Sequence, residues 1–291
     1  MGAQSVVTLS DGAKVLVRIL GESVESSKPL LIALHGAPGL SSHSEPENSF
    51  GFLNSRFRVL VYDARGSGES DLKTPFTDER WIADLDEIRQ WAGEDKITLA
   101  GGSYGGFVAL GYTLLHPDHV SALILRDTWP YGFRGTLRAL NNVARSTEIT
   151  TDPAQQVRIW SGSLRDNDDL ETGLADILPI YTAKKQQGAV PAADDQSFEN
   201  AKKYYHYETH NAAFSYSVPR FDVRARLYEI KVPTLVVVGR HDPIAPVEDS
   251  QEIKEGIDDS VLAIFENSGH SPPSEEPKLF QETLWEFLNR N

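Results

Sequence analysis

One ten-residue stretch, Ile97 to Gly106, constrains this chain more than any other. It reads Ile-Thr-Leu-Ala-Gly-Gly-Ser-Tyr-Gly-Gly. Four residues suited to a buried strand run into a Gly-x-Ser-x-Gly pentad, Gly101 to Gly105, and the apolar, helix-like stretch Phe107 to Leu115 follows at once. Strand, sharp turn and helix in that order are what a nucleophile elbow requires. Such a turn strains its central residue and is tolerable only if Gly102 and Gly105 keep side chains out of the way. Ser103 then projects its hydroxyl above the sheet edge, with the Tyr104 amide aimed at the same space. The plainer alternative is a glycine-rich turn whose serine caps a helix. The rest of the chain has to decide between them.

From Pro29 onward strand and helix signals alternate. Pro29 to His35 is a continuous apolar run, the pattern of a strand buried on both faces. It ends in His35-Gly36-Ala37-Pro38-Gly39, which continues neither strand nor helix. Arg58 to Tyr62 is a further strand, followed by the turn-rich Asp63 to Ser70. Thr77 to Trp91 has helical spacing, with Trp81, Leu85, Ile88 and Trp91 expected on one face. The Ile97 strand, the elbow helix and the strand Ala122 to Leu125 complete this half. Ahead of it, Val6–Leu9 and Lys14–Leu20 flank Asp11-Gly12, a hairpin turn signal. The pattern resumes with Thr234–Gly239, a helix near Val247–Glu255, a strand at Val261–Phe265 and an amphipathic helix from Glu275 to Leu288 that presents Leu279, Phe280, Leu284 and Phe287. This is the signature of an α/β fold built on a mostly parallel sheet.

The alternation breaks between Trp129 and Val218, where helix-prone segments stand alone: Gly135–Arg145, Pro153–Leu164, Leu170–Lys185 and Asp194–His206. Connections in such sheets usually take about 2–6 residues, so residues 129–218 read as an inserted helical cap over the sheet's C-terminal edge. Residues 1–128 and 219–291 then form the core domain.

Composition removes several classes of function. A net charge of -14 opposes nucleic acid and anionic membrane as partners, because both would repel the chain. The absence of cysteine excludes disulfides, thiolate zinc sites and iron–sulfur clusters. No His-Glu-x-x-His, phosphate-binding loop or dinucleotide fingerprint occurs, so no metal and no cofactor is expected. Met1 to Asp11 lacks the features of a signal peptide, and no apolar run approaches the ~18–20 residues of a membrane span. A soluble cytoplasmic protein acting on a small molecule or short peptide is expected.

Functional loops of an open α/β sheet lie beyond the carboxyl ends of its strands. Ser103, Asp242 and His270 each follow one, in the order Ser, Asp, His. A serine hydroxyl is a weak nucleophile until a base takes its proton, and the base needs a carboxylate to fix its tautomer and stabilise its charge. His270 has the best position of the eight histidines: His35 lies in a tight turn, His116 and His119 end a helix, and His241 adjoins the acid. Asp242 is the favoured acid and Asp127, in Leu-Arg-Asp-Thr, the alternative. The oxyanion of a tetrahedral intermediate needs two donors. Tyr104 supplies one amide, and Ala37 the other from the His35–Gly39 loop. Ala37–Pro38 is expected to be cis, because that loop must turn sharply.

These motifs resemble the prolyl iminopeptidase branch of the α/β-hydrolase superfamily, peptidase family S33. His35-Gly36-Ala37-Pro38-Gly39 is similar to its His-Gly-Gly-Pro-Gly, with Ala37 for the middle glycine. Asp63-Ala64-Arg65-Gly66-Ser67-Gly68-Glu69-Ser70 resembles its Asp-x-Arg-Gly-x-Gly-x-Ser, and Gly101 to Gly106 its Gly-Gly-Ser-Trp-Gly-Gly. The likeness covers Val6–Thr128 and Val232–Asn291 and is weaker across the insertion. It implies an eight-stranded α/β-hydrolase fold and a serine aminopeptidase that releases an N-terminal residue, preferably proline, through an acyl-enzyme. The branch's Trp-x-x-Trp-Glu segment has a relaxed counterpart in Tyr204-Tyr205-His206-Tyr207-Glu208. The resemblance thus makes Glu208 the holder of the substrate's free amine, with Tyr204, Tyr207 and Gly36 also substrate-binding. A small ester or lactone hydrolase with the same triad is the alternative. A non-catalytic ligand-binding protein on this framework is another, against which the intact Ser103, Asp242 and His270 argue.

Overall fold

The computed structural model describes residues 3–21, 27–183 and 204–290. Its eight strands are β1 (Ala3–Thr8), β2 (Lys14–Leu20), β3 (Leu30–Leu34), β4 (Arg58–Tyr62), β5 (Ile97–Gly102), β6 (Val120–Arg126), β7 (Thr234–Gly239) and β8 (Ser260–Phe265). They form one sheet in the order β1-β2-β4-β3-β5-β6-β7-β8. The β1–β2 hairpin and the β2–β4 pair are antiparallel, and every pair from β4 to β8 is parallel. The hairpin turns at Gly12, whose φ of +86° needs a residue without a side chain.

β3, β4, β5 and β7 are buried along their whole length, whereas β8, at the edge, is partly open. Helices cover both faces, which is why these strands read as apolar runs instead of alternating. One face packs Phe50 of α1 (Ser44–Phe50) and Phe280, Leu284 and Phe287 of the last helix, Pro277–Arg290. The other packs Trp81, Leu85 and Ile88 of α2 (Asp78–Trp91) and Phe107 and Leu110 of α3 (Tyr104–Leu115). Two residues expected in these stripes lie outside them: Trp91 is 38% exposed and Leu279 45%. At about 100° per residue, each sits roughly 80–100° around its helix from the buried line.

Between β6 and β7 the chain forms α4 (Gly132–Arg145), α5 (Pro153–Ser161), α6 (Asn167–Ile177) and α7 (Tyr207–Ala212), which runs through a π-helical turn, Ala213–Ser217, into Val218–Arg220. Asp152 caps α5, accepting from the Ala154 N–H at 2.9 Å, and left-handed Gly162 ends it. The segment expected as one helix from Leu170 stops at Ile177 and tightens into a 3₁₀ turn at Leu178–Ile180, where Pro179 offers no N–H. The helix expected over Asp194–His206 lies outside the described residues up to residue 203. Among the described residues no helix is long and apolar enough to cross a membrane.

Candidate active site

Ser103 stands between β5 and α3 with φ 52° and ψ -120°, the strained conformation of an elbow. Its N–H donates to the Arg126 carbonyl at 2.8 Å, and its carbonyl accepts from the Gly106 N–H at 2.9 Å and from Thr128 Oγ1 at 2.8 Å. The hydroxyl makes no capping hydrogen bond, which removes the helix-cap alternative. Close backbone approach explains the glycines. A Cβ on Gly101 would stand 2.3 Å from the Gly105 carbonyl oxygen, and one on Gly105 2.7 Å from that of Leu34. Gly102 lies opposite Arg126 across the β5–β6 ladder, and a Cβ there would meet the guanidinium at 2.1 Å. Tyr104, the residue after Ser103, is anchored through its hydroxyl, which donates to Asp78 at 2.6 Å.

The loops after β7 and β8 bring Asp242 and His270 together. Asp242 Oδ2 accepts from the imidazole Nδ1 at 2.7 Å, while its Oδ1 takes the N–H groups of Ile244 at 2.8 Å and Ala245 at 3.0 Å. Both side chains are buried. Burial works against a charged imidazole, but the charge of Asp242 and its hydrogen bond outweigh that and raise the His270 pKa. Asp127, the alternative acid, does not reach the ring. Held at φ 48°, it accepts from the Gly239 N–H at 3.0 Å and from Arg126 at 3.2 Å. Burial and the neighbouring Asp242 push its carboxyl up to about 7. Among the described residues no hydrogen bond joins Ser103 Oγ to His270, a contact that in unliganded sites often tightens only with substrate.

The His35–Gly39 loop lies against the elbow, the Gly36 Cα carrying its Cβ direction to within 3.4 Å of Ser103 Cβ. His35 orders this loop as a neutral ring. Its Nδ1 pairs with the Gly36 carbonyl at 2.8 Å, and its Nε2 accepts from the Ala64 N–H at 3.0 Å. Among the described residues the N–H groups of Ala37 and Tyr104 have no partner. The Ala37–Pro38 bond is trans, contrary to expectation. Gly39, at φ +74°, makes the turn instead, and the Leu40 and Ser41 N–H groups close it onto the Ala37 carbonyl at 3.1 and 3.2 Å. A side chain on Gly39 would run into the His206 carbonyl, so the loop docks on the start of α7.

A cavity opens beside Ser103, lined by Ala37, Tyr104, Asp127 and a set of apolar side chains from the core and the insertion, among them Phe107, Trp129, Ile159, Trp160 and Phe214. Glu208 does not belong to it. The register of α7 turns Thr209 and His210 inward and leaves Glu208 on the exposed face. Tyr204 donates to Glu69 at 2.8 Å, and Tyr207 is half-buried at the same helix start; neither lines the cavity. Asp222 is paired with Arg224 at 2.7 Å on the surface. A cluster of Asp86, His116 and His119 brings its ligand atoms within 4.8 Å, but Asp86 is taken up by Arg89, Gln90 and Tyr112 and His119 by the Asp95 carbonyl.

Three supporting residues escaped the reading of the sequence. Arg126 joins the elbow to the His270 loop. Glu275 gathers the N–H groups of Gly269, Ser271 and Ala183 around that loop, at 2.9, 3.1 and 2.8 Å. Tyr181 sets its ring edge-on to His270 at 5.0 Å, and its carbonyl accepts the His270 N–H at 2.7 Å. The one visible signal was Arg126 itself, a cation closing an apolar strand, which burial permits only if it is paired.

Comparison with known proteins agrees with this architecture. A family model described as the alpha/beta hydrolase fold matches residues 29–277. The proline iminopeptidase PfmaB of Pestalotiopsis fici is 32% identical over 286 residues, covering 96% of this chain and 98% of that protein. A proline iminopeptidase of Saccharolobus solfataricus is 30% identical over 277 residues, covering 92% and 87%. Among solved structures, the enol-lactonase of Burkholderia xenovorans LB400 superposes with a TM-score of 0.78 at 20% identity, covering 98% of this chain and 100% of the other. The esterase EaEST of Exiguobacterium antarcticum does so with a TM-score of 0.77 at 24% identity, covering 99% and 100%.

Proposed function

The chain belongs to the α/β-hydrolase family, and from that premise we propose that it is a serine hydrolase whose nucleophile, base and acid are Ser103, His270 and Asp242. His270 takes the Ser103 proton through Nε2 as the oxygen attacks the substrate carbonyl, and later returns it to the leaving group. Asp242 fixes the proton on Nδ1 and stabilises the imidazolium. The unpartnered N–H groups of Ala37 and Tyr104 receive the oxyanion. Water then hydrolyses the acyl-enzyme with His270 again as base. Residues 129–218 act as the cap that shapes the acyl pocket and keeps water from it.

The apolar cavity beside Ser103 carries our reading of the substrate: a small neutral ester or lactone with an apolar acyl group. Among the described residues Asp127 is the only carboxylate lining it, and that group already holds Gly239 and Arg126. The second reading, an aminopeptidase releasing N-terminal proline from short peptides, is supported by the proline iminopeptidases at 32% and 30% identity. A pyrrolidine ring also suits an apolar pocket. That reading needs an anion for the substrate's ammonium, and Glu208 faces outward. Prolyl-anilide, alanyl-anilide and short acyl esters assayed in parallel separate the two. Ester turnover without anilide cleavage is expected; cleavage of prolyl-anilide well above the esters would reverse the order.

A further inference from the structure

Among the described residues, two buried polar atoms on side chains that line the cavity have no partner. His210 is 1% exposed and Trp160 5%, and both line the cavity with Ser103. His210 Nε2 lies 3.1 Å from the Ile159 carbonyl, an acceptor, so Nε2 carries the proton and Nδ1 keeps a free lone pair. Among the described residues Nδ1 finds no donor, and the Trp160 Nε1–H finds no acceptor. Burial holds the ring neutral, pushing its pKa down to about 4. A buried group left open in this way is costly, so a matched open donor and acceptor in one pocket call for an explanation.

The groups are also held in place. His210 stacks on Phe214 at 4.3 Å and Trp160 meets the same ring edge-on at 5.9 Å, so one aromatic side chain carries both. Phe214 stands in the π-helical turn that continues α7, a local widening often found at functional sites. Asn211 clamps the start of the connection after α5 by two bonds to Leu164, each 2.8 Å, and the Gly39 carbonyl accepts the His206 N–H at 2.8 Å. The donor and acceptor are thereby fixed relative to the loop that carries Ala37.

We propose that the acyl half of the substrate bears a hydroxyl group, which donates to His210 Nδ1 and accepts from Trp160 Nε1. The substrate class is then a hydroxylated apolar acyl ester or the corresponding lactone. This inference rests on the esterase reading above and goes further by giving the acyl group one polar feature.

The test compares methyl hexanoate with its 2-, 3- and 6-hydroxy derivatives, followed by acid release at constant pH. At least one hydroxy ester is expected to exceed the parent in kcat/KM by about tenfold or more. That ratio should fall toward one in His210→Phe, and also in Trp160→Phe, which keeps an aromatic ring without the N–H and decides the matter if the histidine variant fails to fold. Ratios that all stay within about threefold in the wild type, as when a bound water fills both positions, would overturn the proposal. So would a preference that survives both substitutions. Failure of the wild type to hydrolyse methyl hexanoate faster than Ser103→Ala is a different outcome: it removes the esterase reading, and this inference with it.

Discussion

Arg126 holds Ser103 with its backbone and His270 with its side chain: its carbonyl accepts the Ser103 N–H at 2.8 Å, and its guanidinium donates to the His270 carbonyl at 3.0 Å. The same guanidinium pairs with Asp127 at 3.2 Å and Glu45 at 2.5 Å. One buried cation therefore sets the spacing between the proposed nucleophile and base. Arg126→Lys keeps the charge but cannot make this fan of bonds. We expect kcat to fall by about 10² with KM little changed, since a small misplacement of reacting groups costs about that much. Steady-state kinetics on a short acyl ester check it. An unchanged kcat would mean that Arg126 is structural filling only.

The choice of acid is open to a direct comparison. Asp242 holds the His270 ring and Asp127 does not. Asp242→Asn should lower kcat by roughly 10⁴, as loss of a triad acid does by admitting the wrong tautomer. Asp127→Asn, measured on the same ester, should cost far less. The opposite ranking would transfer the role to Asp127.

The pH dependence follows from the raised pKa of His270. The general base works as neutral imidazole, so kcat/KM should rise with pH through that pKa, and its midpoint should lie above the ordinary histidine value of about 6.5. In Asp242→Asn the carboxylate that favours the charged ring is gone and burial, which opposes it, remains. The residual activity should then keep its acid limb at lower pH. A midpoint that stays in place would show that another group titrates.

Gly102 offers a test of the elbow's packing. Adding one methyl there directs a carbon to 2.1 Å from the Arg126 guanidinium. Gly102→Ala should cost about 1–3 kcal/mol of stability through overpacking, read as a lowered melting temperature, together with most of the hydrolytic activity. A variant with wild-type stability and rate would refute this account of the glycine.

Much of this was legible in the sequence because it is encoded by near neighbours. The pentad needs glycines where backbone meets backbone, and it carries them. Buried strands flanked by helices leave apolar runs, and these located the sheet and placed Ser103, Asp242 and His270 beyond strand ends. The N-cap at Asp152 is equally local, a side chain two residues from the N–H it serves.

What the sequence by itself determined is thus the kind of framework and the chemical groups on its carboxyl edge. Tertiary structure alone decided how those groups meet. Asp127 and Asp242 both follow buried strands, and only the packing of the β7 and β8 loops sends the imidazole to Asp242. Glu208 and His210 are two residues apart, about 200° around a helix, and only the docking of α7 on Gly39 turns the histidine inward and the glutamate out. Arg126 gains its place from partners 81 and 144 residues away. Spacing along a chain records local geometry; a hydrogen bond between distant loops depends on how the whole core packs, and no short stretch of sequence carries that.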